Sequence, residues 1–190
     1  MNWVADAWVK IQNLHGEWEW MKEELPATAL TIASTARYTP ASWSITDLAE
    51  WITDPGAVSL YLSATGASDE GLLVFMPCDE WWTTYNQGSQ TDNRPVHYSI
   101  SSDGEFCPGP RPDDIYLIRG FYRQTPQTLS ANGDEPNCAA RFHDIIVWKA
   151  LLLMIQHDEA NRDLERRAMG HYNDIRSAME RDELPKISLG

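Results

Sequence analysis

Two apolar helical patterns at opposite ends of the chain constrain its fold more than any other feature. Between residues 3 and 25, apolar side chains recur in steps of three and four, which is typical of one face of a helix. No clear cap precedes this pattern, and Pro26 should end it because the residue before a proline avoids helical angles. The stripe consists of Trp3, Val4, Ala7, Trp8, Ile11, Leu14, Trp18, Met21 and Leu25. The opposite face carries Asp6, Lys10, Gln12, Glu17 and Lys22.

A single helix cannot bury so many apolar rings alone, so this helix needs a partner elsewhere in the chain. Residues 142–156 are apolar almost all round, which predicts a central buried helix and the natural partner. After a polar break at 157–159, a second stripe predicts another helix with a solvated, charged outer face. This second stripe consists of Leu164, Ala168, Tyr172, Ile175 and Met179.

The chain between these helices favours short β-strands. The runs ALTIAS, SLYLS, GLLVFM, PVHYSIS and DIYLIRGFYR alternate with turn sequences such as DPG and SDEG. HYSISSDGEF predicts a hairpin with its turn at 102–104. PCDEWWTTY, at 77–85, predicts a short helix, whereas residues 44–53 fit a strand or a helix equally well.

A proline-rich stretch, CPGPRPDD, precedes the last β-leaning run. Because proline fixes its backbone angle, we expect these prolines to set the direction in which residues 115–123 enter the structure. Residues 115–123 are then predicted to form the last strand of the β-rich region. The following QTPQTLSANGDEP would return the chain to the buried helix.

Together these elements predict an α+β fold, in which a helical bundle carries a β-rich insertion. The bundle consists of the amino-terminal helix and two carboxy-terminal helices. A length of 190 residues suits one domain with a large insertion. The predicted bounds are 1–28 and 136–183 for the helical body, 29–135 for the insertion and 184–190 for a carboxy-terminal tail.

The charge and the cysteine count exclude several classes of protein. The chain has 15 Lys and Arg against 28 Asp and Glu, a net charge of −13. Such a balance disfavours binding to a nucleic-acid backbone, where cations supply the affinity. Three widely spaced cysteines predict reduced thiols rather than a disulfide framework. The longest apolar run, 145–155, contains Lys149 and is shorter than the ~20 residues of a membrane span, so we expect no membrane partner.

No catalytic, metal-binding or cofactor-binding motif emerges from the sequence. The cysteines and histidines lack the paired spacing of zinc ligands. Cys138 and His143 lie five residues apart and suggest a nucleophile pair, yet no third orienting group accompanies them. Neighbouring carboxylates such as Asp113 and Asp114 favour caps of backbone N–H groups over a cation site. No glycine-rich phosphate-binding loop is present.

Five residues are candidates for contacts between subunits. Trp81 and Trp82 resemble a sugar-stacking platform, but adjacent helical residues point about 100° apart. We therefore expect one ring to enter the core and the other to meet a neighbouring chain. Arg162, Arg166 and Arg167 form the densest basic cluster, interleaved with acids, which favours intrahelical and intersubunit ion pairs over a DNA-binding patch.

Several motifs, taken in order along the chain, carry a family resemblance. ADAWVKIQNLHGEWEWMKEEL opens the chain, NRPVHYSISSDGEFCPGPRPDDIYLIRGFYRQTPQTL follows, and RFHDIIVWKALL begins the helical last third. The first resembles an A-W-x-x-I-Q-like helix, the second an R-P-x-x-Y hairpin followed by P-x-P-D-x-x-Y, and the third an H-x-x-I-V-x-x-A-L helix. In this order they resemble the head-to-tail connector, or adaptor, proteins of tailed bacteriophages.

The resemblance implies a structural virion protein without enzymatic activity. Adaptors of this kind form a ring, usually of twelve copies, that is assembled in the host cytoplasm and docks beneath the portal protein. The ring extends the channel through which double-stranded DNA passes without specific binding, and it receives the tail or a stopper protein. An acidic chain suits such a channel, and a closed ring joins two different faces of each subunit.

The resemblance also assigns a role to the carboxy terminus, which typically reaches into the portal in this family. By position, the expected portal-contacting tail consists of Leu184, Pro185, Lys186, Ile187, Ser188, Leu189 and Gly190.

Two other functions are also compatible with the sequence. One is an aromatic-rich carbohydrate-binding module that uses Trp81 or Trp82. The other is a small cysteine-dependent hydrolase built around Cys138 and His143.

Overall fold

The chain has a mixed α/β structure, which agrees with the predicted class. A computed structural model describes residues 2–158 and 162–186. The α-helices in these residues are α1 (Trp3–Gln12), α2 (Cys78–Trp81), α3 (Asp144–Asp158) and α4 (Arg162–Glu183). The strands are β1 (Lys22–Glu24), β2 (Leu48–Trp51), β3 (Ser59–Leu62), β4 (Gly71–Leu72), β5 (Val74–Phe75), β6 (His97–Ile100), β7 (Phe106–Gly109), β8 (Tyr116–Arg119) and β9 (Phe121–Gln124).

The chain divides into two compact units, a helical unit of residues 1–22 with 125–190 and a β-rich unit of residues 23–124. The β-rich unit is therefore inserted in sequence between the two segments of the helical unit. The predicted domain bounds, 1–28 with 136–183 for the helical body and 29–135 for the insertion, stay a prediction.

The helical unit is built on one core that α1, α3 and α4 share. Trp8 and Ile11 of α1, Ile145 of α3, and Ala168 and Met179 of α4 belong to this core and have no exposed surface. Each of these residues was placed on an apolar face by its spacing in the sequence. The predicted packing of the first helix against the helix at 142–156 is thus confirmed.

The first helix is shorter than predicted, because α1 ends at Gln12 and not before Pro26. Trp18 lies beyond the helix, yet its ring is fully buried and its indole N–H donates to the Gln12 carbonyl at 3.1 Å. The Trp20 ring stacks on that of Trp18, with 4.4 Å between ring centroids. The apolar spacing in the sequence extends past the end of the helix because Trp18 and Trp20, which follow the turn around Gly16, also pack in the core. An unrecognised cap begins the helix, since the Asn2 side chain accepts a hydrogen bond from the Ala5 N–H.

The helix α3 is less buried than its apolar composition predicted. Ile145, Leu152 and Ile155 lie in the core, but Val147 is 62% exposed and Met154 is 39% exposed. The prediction of a helix buried on all sides is therefore wrong for one side. The second stripe is buried in α4 at Ala168, Tyr172 and Met179, as expected, but its first residue, Leu164, is 41% exposed.

The β-rich unit contains three small sheets, with strand orders β1-β9-β2, β4-β3-β8 and β5-β6-β7. The predicted hairpin is confirmed, since β6 and β7 pair antiparallel around a turn that contains Gly104 at φ +76°. Glycine suits this turn because it adopts positive φ without steric cost. The undecided segment 44–53 contains β2, which pairs with β9. The core of this unit includes the fully or nearly buried rings of Trp43, Tyr98 and Phe106.

The strands differ from the predicted runs in three places. Residues 115–123 form two strands, β8 and β9, which belong to different sheets. Gly120 separates them, and an added Cβ atom there would lie 3.3 Å from both the Ala57 carbonyl oxygen and Val58 Cγ2. GLLVFM likewise divides into β4 and β5 on either side of the buried Leu73. ALTIAS forms only an isolated bridge between Leu30 and Leu117.

Candidate functional site

The two adjacent tryptophans of the candidate site point in different directions. Trp81, at the end of α2, is fully buried and its indole N–H donates to the Pro108 carbonyl at 3.1 Å. Trp82 begins the π-helical turn that follows and is 44% exposed. The predicted short helix is confirmed, and one ring enters the core as helix geometry requires. The two rings do not form the flat platform that a carbohydrate-binding module would need.

An arginine that the sequence reasoning did not identify lies against both rings. The Arg37 guanidinium lies 5.8 Å from the ring centroid of Trp81 and 5.4 Å from that of Trp82. Its Nη1 also lies 3.3 Å from Glu105 Oε2. Cation–π contacts of this kind are worth about 0.5–1 kcal/mol at exposed sites. They order the exposed Trp82 ring before any partner arrives, which is favourable for an interface anchor.

The cysteine-hydrolase alternative finds no support in the geometry of its residues. His143 Nε2 lies 3.2 Å from the backbone carbonyl of Cys138, a contact that leaves the thiol without a base. Burial raises the pKa of the Cys138 thiol to about 11; a backbone hydrogen bond partly opposes this rise, and the charge of Glu183 adds a smaller increase. A nucleophilic cysteine needs a lowered pKa, because the thiolate is the reactive form. Cys78, Cys107 and Cys138 are free thiols, as predicted.

In the described part of the chain, the carboxylates and histidines do not converge on a metal site. Within residues 2–158 and 162–186, no three side chains of His, Cys, Asp or Glu form a group that would hold an ion. Asp114 accepts a hydrogen bond from the Ile115 N–H, the backbone role that we expected, whereas Asp113 accepts one from the Tyr116 hydroxyl. No helix of the same residues has the length and apolarity needed to cross a membrane.

Negative charge is concentrated in the β-rich unit. Residues 23–124 contain five arginines, no lysine and fourteen acidic residues, a net charge of −9. Four of the five arginines form ion pairs with acids of the same unit. These pairs join Arg37 to Glu105, Arg94 to Asp69, Arg111 to Asp92 and Arg119 to Glu24. Most acids of the unit thus have no cationic partner, and the potential of its surface is strongly negative.

The basic cluster at the start of α4 lies on the surface of the helical unit. Arg162, Arg166 and Arg167 are all exposed. Arg166 Nη1 lies 3.6 Å from Asp163 Oδ1, with the two side chains 80% and 74% exposed, so an intrahelical ion pair forms as predicted. A pair so exposed stabilises the helix by about 0.5 kcal/mol or less, and it leaves the guanidinium accessible to another chain.

The candidate portal-contacting tail is described only in its first three residues, 184–186. Leu184 packs partly against the core of the helical unit, and its N–H donates to the Glu180 carbonyl at 3.3 Å. Pro185 and Lys186 are exposed. Residues 187–190 (Ile187, Ser188, Leu189 and Gly190) lie outside the described residues.

The order of motifs along the chain agrees with a comparison against families of proteins. Residues 1–186 match the model of the SU10 adaptor protein family. The chain belongs to this family of phage head-to-tail adaptors. The resemblance predicted from the sequence is therefore confirmed. A comparison with curated proteins found no match.

Membership of this family indicates the general role of the chain. SU10-family adaptors are bacteriophage structural proteins of the virion, and they associate with other head or tail proteins. Association with other proteins takes place through surfaces, and the chain has three distinctive ones: the Trp82 ring beside Arg37, the acidic β-rich unit and the exposed arginines of α4.

Proposed function

We propose that this adaptor is assembled in the host cytoplasm into a ring, of twelve copies as is usual for such proteins, that docks beneath the portal protein. The ring extends the DNA channel and receives the tail or a stopper protein. The match of residues 1–186 to the adaptor family carries this proposal. The acidic β-rich unit and the exposed Trp82 and α4 arginines support it as surfaces for DNA passage and for assembly.

The charge of the β-rich unit suits contact with moving DNA. Duplex DNA binds proteins chiefly through cations that displace its counterions. The arginines of this unit, except Arg123, are held in the ion pairs described above, and the unit contains no lysine. Its surface therefore repels phosphate. A channel lined by such a surface lets DNA slide without binding sites that would retain it.

The carboxy-terminal tail, residues 184–190, is the proposed contact with the portal. Pro185 and Lys186 are exposed beyond the end of α4, where they are accessible to another protein. Leu184 differs from them because it packs partly on the helical core. Truncation after Leu184 is thus expected to preserve the fold and to abolish portal docking.

The test is co-purification with the portal protein encoded by the same phage. The full chain is expected to sediment with portal rings, whereas the chain truncated after Leu184 sediments alone with an unchanged melting temperature. In the phage, deletion of the chain should give DNA-packaged heads that lack tails. Normal tailed particles in the absence of the chain would contradict the adaptor role. Portal binding by the truncated chain would contradict the assignment of residues 184–190 as the portal contact.

A further inference from the structure

The exposed side of α3 is a narrow apolar stripe. Val147 and Met154 are 62% and 39% exposed, and Leu151 between them is half-buried. With Asp144, which is exposed at the start of the helix, they follow intervals of three, four and three residues and so share one face. We call these four residues the α3 stripe. The other sides of α3 are covered by α1 and α4 of the same chain.

A second free surface lies on α4. Arg162, Arg166, Met169 and Asn173 follow intervals of four, three and four residues, and all four side chains are exposed. We call them the α4 outer face. It is distinct from the buried side of α4, where Ala168 and Met179 enter the core. Met169 is 38% exposed, so this face also has an apolar centre.

The α3 stripe and the α4 outer face carry opposite charges, and both contain apolar side chains. The α3 stripe combines apolar side chains with the carboxylate of Asp144, whereas the α4 outer face combines an apolar side chain with two guanidinium groups. The aliphatic stems of Arg162 and Arg166 can cover apolar surface while their charged heads reach a carboxylate. Arginine and methionine are both enriched in protein interfaces, and lysine and glutamate are depleted there.

We propose that the α3 stripe of one copy packs against the α4 outer face of the next copy. The inference rests on the proposed function, since it names the two surfaces through which the ring closes. Two different faces of one subunit make a heterologous contact, and repetition of that contact gives a closed ring when the rotation is right. An isologous dimer would instead bring two α3 stripes together and would place the two Asp144 carboxylates on the same apolar seam.

The first measurement is the mass of the purified wild-type chain by sedimentation equilibrium over a range of concentrations. Association beyond a dimer is the expected result. A chain that stays monomeric at every concentration would overturn this inference and would also contradict self-assembly in the proposed function.

Two variants then each remove one surface. Val147→Glu with Met154→Glu places charge in the α3 stripe, and Arg162→Glu with Arg166→Glu reverses the charge of the α4 outer face. Because all four positions are exposed, both variants should keep the wild-type melting temperature and weaken association at least tenfold. Val4→Glu, at an α1 residue that is 49% exposed, is the control for the first variant. Arg181→Glu, at a residue whose side chain is 75% exposed near the end of α4, is the control for the second.

Mixing the two variants decides between the two kinds of contact. Each variant retains the surface that the other lacks, so an equimolar mixture should form a dimer that grows no further. A mixture that stays monomeric would overturn the heterologous pairing. Wild-type association by either variant alone would overturn the assignment of these surfaces and leave the ring of the proposed function intact.

Discussion

Gln12 and Gln127 form a reciprocal pair between a side-chain amide and the backbone. Gln12 Oε1 accepts from the Gln127 N–H at 2.8 Å, and Gln12 Nε2 donates to the Gln127 carbonyl at 2.9 Å. Gln12 is 1% exposed and Gln127 is half-buried, so both hydrogen bonds are partly shielded from water. The pair fixes the end of α1 to the segment by which the chain returns from the β-rich unit.

Replacement of Gln12 by alanine should destabilise the helical unit. The change leaves both backbone groups of Gln127 without their partners, and an unsatisfied buried group costs about 1–3 kcal/mol. Because Gln127 is only half-buried, we expect the free energy of unfolding in urea to fall by about 1–3 kcal/mol. Asn13→Ala, at the exposed neighbouring position, is the control and should change it by less than about 0.5 kcal/mol. A similar, small effect of both substitutions would show that the pair is not important for stability.

The burial of Gln12 shows what the sequence did not reveal. Its position in the apolar period placed it on the polar face of the first helix. The side chain is buried because its partner, Gln127, is 115 residues away in the chain. Periodicity reports which side of an isolated helix is apolar, whereas a buried amide depends on a backbone segment that only the tertiary fold supplies.

Helices were predicted better than strands for a related reason. The stripe of α4 spans many turns, so Ala168 and Met179 were assigned to the core from spacing alone. The division of residues 115–123 at Gly120 could not be predicted, because each resulting strand has four residues and the sheet to which it belongs depends on distant partners. The Arg37 contact with Trp82 was missed for the same reason, although the aromatic pair itself was identified.

The close approach of Tyr85 to Gly109 gives a second prediction. A Cβ atom at Gly109 would lie 2.4 Å from Cδ2 of the Tyr85 ring, whose hydroxyl forms a 2.7 Å hydrogen bond with His97 Nδ1. Gly109→Ala should therefore lower the free energy of unfolding by about 1–3 kcal/mol, since the ring must move. Thermal unfolding of the variant measures this loss.

The control for this steric effect is Gly133→Ala, because an added Cβ atom there has no heavy atom within 4 Å. Gly109→Ala combined with Tyr85→Leu should recover part of the lost stability, since leucine removes the ring that meets the new methyl group. A double variant less stable than the two single changes combined would rule out the clash as the cause.

Glu180 should make the helical unit sensitive to acid. Burial tends to raise the pKa of its carboxyl group, but the hydrogen bond with His15 at 2.9 Å and the charge and hydrogen bond of Arg176 lower the pKa below the ordinary 4.5. A group with a lowered folded-state pKa stabilises the fold above its ordinary pKa and loses that contribution as the pH falls through the lowered value.

The pH dependence is tested with Glu180→Gln, which keeps the shape of the side chain without its charge. At neutral pH the variant should be less stable than the wild type, and the difference should shrink as the pH falls below 4.5. Glu17→Gln, at an exposed position, is the control. A difference between Glu180→Gln and wild type that does not change with pH would show that the Glu180 charge has no role.

The three thiols should differ in reactivity because they differ in burial. Cys107 and Cys138 are buried, and burial raises the pKa of each to about 11, while Cys78 is partly exposed. A thiol-reactive dye at neutral pH should label one site of the native chain quickly, and Cys78→Ser should remove that fast phase. Fast labelling at Cys138 that is lost in His143→Ala would instead support an activated nucleophile.

Images of this chain bound to the portal protein of the same phage test the adaptor assignment most directly. Electron microscopy of the purified complex should show a closed ring of copies of this chain beneath the portal, coaxial with its channel. A chain that stays monomeric beside intact portal rings, or that binds them without forming a ring, would contradict the assignment.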